Sequence, residues 1–373
     1  MKTVYFFDHF DIPGGIPKML VEKINYLCDH SAHDVSIITY KKEISSFFRL
    51  TPKVIIICLG LNLDDRDFQN KFKNLASQHL KELNADIVLT PVYSHAFWFL
   101  PMIKDGSRKI AEFHTCYESA RGFTNIRTNF RKYLFERYFF IKVLRIGKRY
   151  DAFVVLSGTD FAKWKKLLKN VLVIPNWLDY NNNFVKTKNS KTAIAVGRLE
   201  GIKSFHLAIS AWAFVVKRYP DWHLKIYGRG LLEQELSIQI KKLKLHDNIT
   251  ILEPIPDLKK QYKEAEFFIN TSAFEGFGLV ILEAMASGLP VPVISMKMKG
   301  GGNDLIKNNQ TGILSIGRNP EEFSKEIIQL IEHPDKRYKM SIAALDKSLD
   351  YRSDKVMSKW LNLFEHLKIS KSA

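Results

Sequence analysis

The chain has 373 residues, of which 46% are hydrophobic and 25% charged, a composition that excludes a disordered chain. Three cysteines without metal-ligand spacing exclude a disulfide framework, and no apolar run approaches the roughly 20 residues that span a bilayer. The net charge of +17 calls for an anionic partner.

The opening Met1-Lys2-Thr3-Val4-Tyr5-Phe6-Phe7-Asp8 turns acidic too soon for a secretory segment and predicts a buried strand. With the sparse cysteines, this predicts a reducing, cytoplasmic location. Further short apolar runs at 35–38, 54–58, 87–89, 153–156 and 171–174 each precede a stretch of helical period. Strands alternating with helices predict a parallel sheet covered on both faces. The pattern stops at Asn181-Asn182-Asn183 and resumes after the basic stretch 186–191, with runs at 193–196, 223–227, 249–252, 267–269 and 291–294. The expected architecture is α/β: two tandem Rossmann-like domains, 1–180 and 192–350, joined by a linker at 181–191. They are expected to face each other across a cleft at their strand carboxyl ends. A last helix over 351–373, with Val356, Trp360, Leu363, Phe364 and Leu367 as its apolar stripe, is expected to pack back on the first domain.

In the first domain, Gly14-Gly15 follows the first strand and precedes a helix. Such a turn either cradles a phosphate or acceptor, or is only a tight connection. His114 ends a later strand; it is either a cleft histidine or a structural one. Its neighbour Cys116 lacks an activating group and is not read as a nucleophile. Residues 104–149 hold 12 Lys/Arg against 4 Asp/Glu. Within them Arg131, Lys132, Arg137, Lys142 and Arg145 alternate with aromatic and aliphatic residues at near-helical period. That pattern fits a helix lying on an anionic membrane, or a packing helix with a solvated basic face. No RNA- or DNA-binding module accompanies it, so nucleic acid is not expected.

The second domain holds the densest signal. Glu275-Gly276-Phe277-Gly278-Leu279 follows a strand, and a helix is predicted to start near Gly278 and stop at Gly288. Glu275 then precedes a helix N-terminus suited to a phosphate or a polarised hydroxyl. Glu283 lies inside that helix among apolar neighbours, where its carboxylate either finds hydrogen-bond donors or faces solvent. Arg198 and Lys203, spaced as Gly-Arg-x-x-x-x-Lys at a strand's carboxyl end, suit a leaving group that builds negative charge. Gly228-x-Gly230 alone is an incomplete dinucleotide fingerprint or a plain turn.

Together these segments resemble the donor site of glycosyltransferase family 4, retaining enzymes of the GT-B fold. The resemblance is carried by Glu-x7-Glu at 275 and 283, Gly197-Arg198 with Lys203, the Gly228 turn, and Ile174-Pro175-Asn176. It implies a nucleotide-sugar donor, a UDP-sugar, with Arg198 and Lys203 on the diphosphate. Glu275 would contact the sugar hydroxyls and Glu283 the ribose. Gly276, Phe277, Gly278 and Leu279 would form the sugar-phosphate cradle, and Pro254 and Ile255 would lie by the base. It further implies His114 in the cleft, no metal, no cofactor, and a glycan, lipid-linked glycan or polyol-phosphate polymer as acceptor on the first domain. The expected role is bacterial surface polysaccharide synthesis, in the cytoplasm or on the membrane's inner face. Two departures stand out: Trp177 where the family usually has Gly, expected to narrow the hinge or offer an acceptor surface, and Asp304 as the acid after a Gly-rich turn. The alternative is a non-catalytic GT-B partner subunit that binds acceptor; it would have lost the donor residues, which are all present.

Overall fold

A computed structural model describes all residues except 12–13, 123–128, 180–189, 256, 290, 294–297, 316 and 373. Most of the expected linker at 181–191 therefore lies outside the described residues. The chain divides into two compact units, Met1–Asn176 with Asp354–Ala373, and Trp177–Ser353.

Unit 1 is built on seven parallel strands: β1 (Lys2–Phe6), β2 (Asp34–Thr39), β3 (Ile55–Cys58), β4 (Ile87–Pro91), β5 (Arg108–Phe113), β6 (Ala152–Val155) and β7 (Val171–Val173). Their order is β3-β2-β1-β4-β5-β6-β7. The strands are parallel because helical crossovers cover both faces, and central strands such as β4 and β6 are accordingly buried along their whole length. Strand order reverses between β1 and β4, which pair with Thr3 opposite Ile87. In such sheets this switch point opens a crevice at the carboxyl ends, where Asp8 and His114 follow β1 and β5.

The helix Ser353–Ser372 belongs to unit 1. Val356, Met357, Trp360 and Phe364 are buried, and the Arg108 Nε donates to the Leu367 carbonyl at 3.2 Å. The Phe364 ring lies 5.5 Å from that of His33.

Unit 2 has a four-stranded parallel sheet in the order β10-β9-β8-β11: β8 (Thr192–Val196), β9 (His223–Tyr227), β10 (Ile249–Leu252) and β11 (Phe267–Phe268). Two short parallel pairs form separate two-stranded sheets: β12 (Phe274–Glu275) with β14 (Lys299–Gly300), and β13 (Val291–Val293) with β15 (Gly312–Leu314). Its core gathers Trp212, Trp222, Phe267 and Phe323 around the sheet. Among the described residues, no helix is long and apolar enough to cross a membrane.

Candidate active site

The centre of unit 2 is assembled by backbone proximity. β8 ends at Val196, and a short helical turn, Gly201–Lys203, follows. A side chain at Gly228 would place its Cβ 1.9 Å from the Gly197 carbonyl oxygen, and one at Gly230 would lie 2.6 Å from the Leu199 oxygen. The Gly228-x-Gly230 turn is thus glycine because two loops touch through their backbones. The Leu199 amide, which donates to the Arg229 carbonyl at 3.0 Å, ties them together. The loop after β11 fixes the Gly201–Lys203 turn from the other side. The Thr271 hydroxyl donates to the Lys203 carbonyl at 2.8 Å, and the Ala273 amide to that of Ile202 at 2.8 Å.

So held, the Lys203 ammonium reaches Glu275, with Nζ 2.6 Å from Oε1 and the two side chains only 16% and 10% exposed. Its methylenes cross the space left by Gly197, where a Cβ would approach them to 3.3 Å. Glu275 is presented by the pairing of β12 with β14, opposite Gly300. Gly302 makes room beside it, since a Cβ there would lie 3.1 Å from the Glu275 Cβ and 2.7 Å from the Met298 Cε. Gly278 adopts φ +88°, a left-handed conformation that glycine enters at no steric cost, and turns the chain into the helix Leu279–Ala286. Phe277 is buried, its ring edge-on to Tyr351 at 5.6 Å. Glu283 sits half-buried on that helix, and the Tyr262 hydroxyl donates to its Oε2 at 3.4 Å. Both glutamates therefore rise from one strand-turn-helix segment.

Other expected residues stand differently. Arg198 is exposed and paired with Glu200 at 2.9 Å rather than joined to Lys203. Pro254 is exposed and Ile255 half-buried after β10, beside an exposed Arg229–Glu253 pair at 2.8 Å. Trp177 is a correction: only 4% exposed, it is a buried side chain and offers no acceptor surface. One residue outside the motifs joins the centre. The Arg318 guanidinium donates to the Thr271 and Ser272 carbonyls at 3.2 and 3.5 Å, on the loop that clamps Lys203, and burial lowers its pKa. No spacing pattern around Arg318 marked it.

In unit 1, Gly14 caps the helix Gly15–His30, its carbonyl accepting from the Lys18 amide at 3.2 Å. His114 follows β5 with its side chain 4% exposed and its Nε2 3.3 Å from the Glu112 Oε2. Neither ring nitrogen makes a hydrogen bond among the described residues, and the Glu112 Oε1 and Thr115 hydroxyl beside it are also buried and unpaired. Beneath lies a fully buried ion pair, Lys23 Nζ to Glu112 Oε2 at 2.5 Å, with the ammonium 3.8 Å from the Trp360 ring centroid. Burial works against the Glu112 carboxylate, but the ammonium and His114 outweigh it and hold its pKa down at about 2. Asp8, unmarked in the sequence, is buried after β1 and accepts from the Thr39 hydroxyl at 2.8 Å; burial raises its pKa. Ser157 caps the helix Gly158–Trp164, and its hydroxyl donates to Asp160 at 3.0 Å. The basic residues Arg131, Lys132, Arg137, Lys142 and Arg145 all lie on one helix, Phe130–Gly147.

Residues 179–347 match the family described as glycosyl transferases group 1. An uncharacterized glycosyltransferase of Haemophilus influenzae is 27% identical over 378 residues, covering 96% of this chain and 98% of that protein. The poly(ribitol-phosphate) alpha-N-acetylglucosaminyltransferase of Staphylococcus aureus is 26% identical over 198 residues, covering 53% of this chain and 40% of that protein. Among solved structures, sucrose-phosphate synthase from Thermosynechococcus elongatus superposes with a TM-score of 0.81 at 16% identity, covering 99% of both chains. A point mutant of S. aureus TarM, in complex with fondaparinux, alpha-GlcNAc-glycerol and UDP, superposes with a TM-score of 0.77 at 15% identity, covering 97% of this chain and 99% of that one. At such identities the structural likeness speaks for the fold alone. Together these findings support a glycosyltransferase of the GT-B fold, whose second unit carries the group 1 match.

Proposed function

We propose that this chain transfers a sugar from a nucleotide-sugar, a UDP-sugar, with retention of configuration, onto a glycan, lipid-linked glycan or polyol-phosphate polymer of a bacterial surface polysaccharide. The observation that carries the reading is the Lys203–Glu275 pair, 2.6 Å apart and mostly buried. A pair of unlike charges in a sheltered site suits a ligand that brings both an anion and hydrogen-bond donors. A sugar diphosphate does so: its phosphate oxygens satisfy the ammonium and its sugar hydroxyls the carboxylate.

In this reading Lys203 turns from Glu275 to the diphosphate as the glycosidic bond breaks, and its charge stabilises the leaving group more than the bound donor. Arg198, free to leave its exposed contact with Glu200, adds a second cation. Glu275 holds the sugar hydroxyls and stabilises positive charge developing near the ring. The acceptor hydroxyl attacks from the face the diphosphate leaves, and a phosphate oxygen takes its proton. Glu283 takes the ribose hydroxyls, while the amides of Phe277, Gly278 and Leu279 complete the cradle. Pro254 and Ile255 flank the base. His114, in unit 1, positions the acceptor or a sugar hydroxyl. No metal takes part, because cationic side chains meet the diphosphate. The relatives that act on polyol-phosphate polymers support that acceptor class.

The test is transfer and slow hydrolysis with a panel of UDP- and GDP-sugars, the anomeric configuration of the product being read by NMR. Glu275→Ala and Lys203→Ala are each expected to lower turnover by about a hundredfold or more, the scale of losing one preorganised transition-state contact. Near-normal turnover in either variant, with an unchanged fold, would sink the assignment. Absence of any nucleotide binding by calorimetry would favour a non-catalytic subunit instead.

A further inference from the structure

Lys203 is set by its backbone before its side chain meets anything. Both carbonyls of the turn that carries it are held by one loop of unit 2. The Ala273 amide donates to Ile202 and the Thr271 hydroxyl to Lys203, each at 2.8 Å. Ser204 follows at φ +52°, a left-handed conformation that costs a non-glycine residue energy and persists only where its surroundings hold it. The holding loop is itself buried, with Asn270, Thr271 and Ser272 at most 4% exposed. Within it the Ser272 hydroxyl donates to the Asn270 Oδ1 at 2.8 Å.

Arg318, from the segment after β15, holds this loop in turn. Its guanidinium spans two consecutive carbonyls, Thr271 at 3.2 Å and Ser272 at 3.5 Å. Thr271 thus accepts from Arg318 on its carbonyl and donates to Lys203 from its hydroxyl, so two bonds join the guanidinium to the lysine backbone. The charge of Arg318 is unusual in its company. The buried cations Lys23, Lys109 and Arg337 each lie against a carboxylate. Arg318 is half-buried and makes no ion pair among the described residues. A cation withdrawn from water without a counterion is costly, and two carbonyls offset that cost only if the geometry is right. The planar fork of an arginine can span both carbonyls, whereas a lysine offers a single point charge.

We propose that Arg318 and Thr271 are positioning residues for Lys203: they fix the backbone from which its ammonium reaches the donor, and touch no substrate themselves. The inference rests on the role proposed above for Lys203. A displaced cation is felt most as charge develops on the leaving group, so the effect belongs in kcat more than in KM.

The experiment is steady-state kinetics of the full chain with the nucleotide-sugar it turns over, on variants made alone and in a Lys203→Ala background. Arg318→Lys keeps the charge but not the fork, and Thr271→Val keeps the shape but not the hydroxyl. Each is expected to lower kcat by about tenfold or more with donor KM changed by less than about threefold, the scale of a misplaced catalytic group. Thr271→Ser retains a hydroxyl and should stay close to wild type. With Lys203 already replaced by alanine, Arg318→Lys is expected to cost less than about twofold more, because the group it positions is gone. Wild-type kcat in Arg318→Lys or Thr271→Val overturns the proposal. So do equal losses in both backgrounds, which would make Arg318 a structural residue only. Thermal melts show that the variants fold; should Arg318→Lys fail to fold, the Thr271→Val and Thr271→Ser pair still decides. Near-normal turnover by Lys203→Ala, or no turnover by the wild type with any nucleotide-sugar, sinks the proposed function and this inference with it. An inactive Lys203→Ala beside an unaffected Arg318→Lys sinks the inference alone.

Discussion

Each unit has a lysine–glutamate pair beneath the carboxyl ends of its sheet, and the two pairs differ in depth and company. In unit 1, Lys23 and Glu112 are 2% and 1% exposed, and Trp360 covers the ammonium from the C-terminal helix. In unit 2, Lys203 and Glu275 are 16% and 10% exposed, and the lysine is held mainly by its own backbone. A sealed pair answers to no ligand; its charges neutralise each other and fix the elements that carry them. A pair that keeps a margin of solvent exposure can exchange its partner for a substrate. On the proposed function, depth of burial, more than distance, separates the ion pair that builds the scaffold from the one that meets the donor.

The sharpest way to break that comparison is to remove each lysine. Lys23→Met leaves the Glu112 carboxylate buried without its cation, and denaturant unfolding is expected to show a loss of about 3–5 kcal/mol. Replacing both, as Lys23→Met/Glu112→Gln, is expected to recover most of that loss. On the proposed function Lys203→Met should remove activity at a smaller cost in stability than Lys23→Met, since its carboxylate partner is less deeply buried than Glu112. Equal destabilisation by the two lysine substitutions would erase the distinction. Glu112→Gln has a second reading through His114, 3.3 Å away. If Glu112 positions that ring, the variant should alter KM or kcat beyond what its lost stability explains.

A smaller effect tests how the Lys203–Glu275 pair is presented. Gly228→Ala forces a Cβ against the Gly197 carbonyl, and a loss of about 1–3 kcal/mol is expected together with reduced activity, because the loop between Gly197 and Lys203 must move. Gly201, in the same loop, has open space where a Cβ would point, so Gly201→Ala is expected to stay within about 0.5 kcal/mol of wild type. Thermal melts with a turnover assay decide the matter, and similar losses at both glycines would break the account of the turn.

The alternation of apolar runs made the parallel sheets legible, because a strand buried on both faces leaves a continuous hydrophobic signature. The strand-glycine-helix frame around Glu275 was legible for a local reason: its turns need glycine at fixed offsets. What stayed hidden was pairing across the chain. Nothing near Glu112 in sequence announces Lys23, 89 residues away, or Trp360 above it. Arg318 reaches the Thr271 loop from 47 residues downstream, and Asp8 finds Thr39 on the neighbouring strand. The helix Phe130–Gly147 was half legible. The alternation of cations and aromatics showed, but periodicity alone assigns no direction, and only packing tells which side is buried.

The smallest expected effect concerns the joint between the C-terminal helix and unit 1. His33 lies against Phe364 and 2.8 Å from the Thr3 hydroxyl. Burial, aided by the nearby N-terminal ammonium, lowers its pKa from 6.5 to about 4. The unfolded chain therefore binds a proton between about pH 6.5 and pH 4 that the folded chain does not, and stability falls as pH drops through that window. Because the ring is only partly buried, about 1–2 kcal/mol is expected from this group. The neutral variant His33→Gln, which can keep the contact with Thr3, should flatten the difference between unfolding at pH 7 and at pH 4.5. Asp160 opposes it, since burial lifts that carboxyl to about 6 and favours the folded state as acid protonates it. Wild type and His33→Gln should accordingly converge near neutrality and part on the acid side, with the variant the more stable. The reverse order would mean that His33 is stabilised by its charge, and that the helix is docked by an ion pair rather than by the buried aromatic contact.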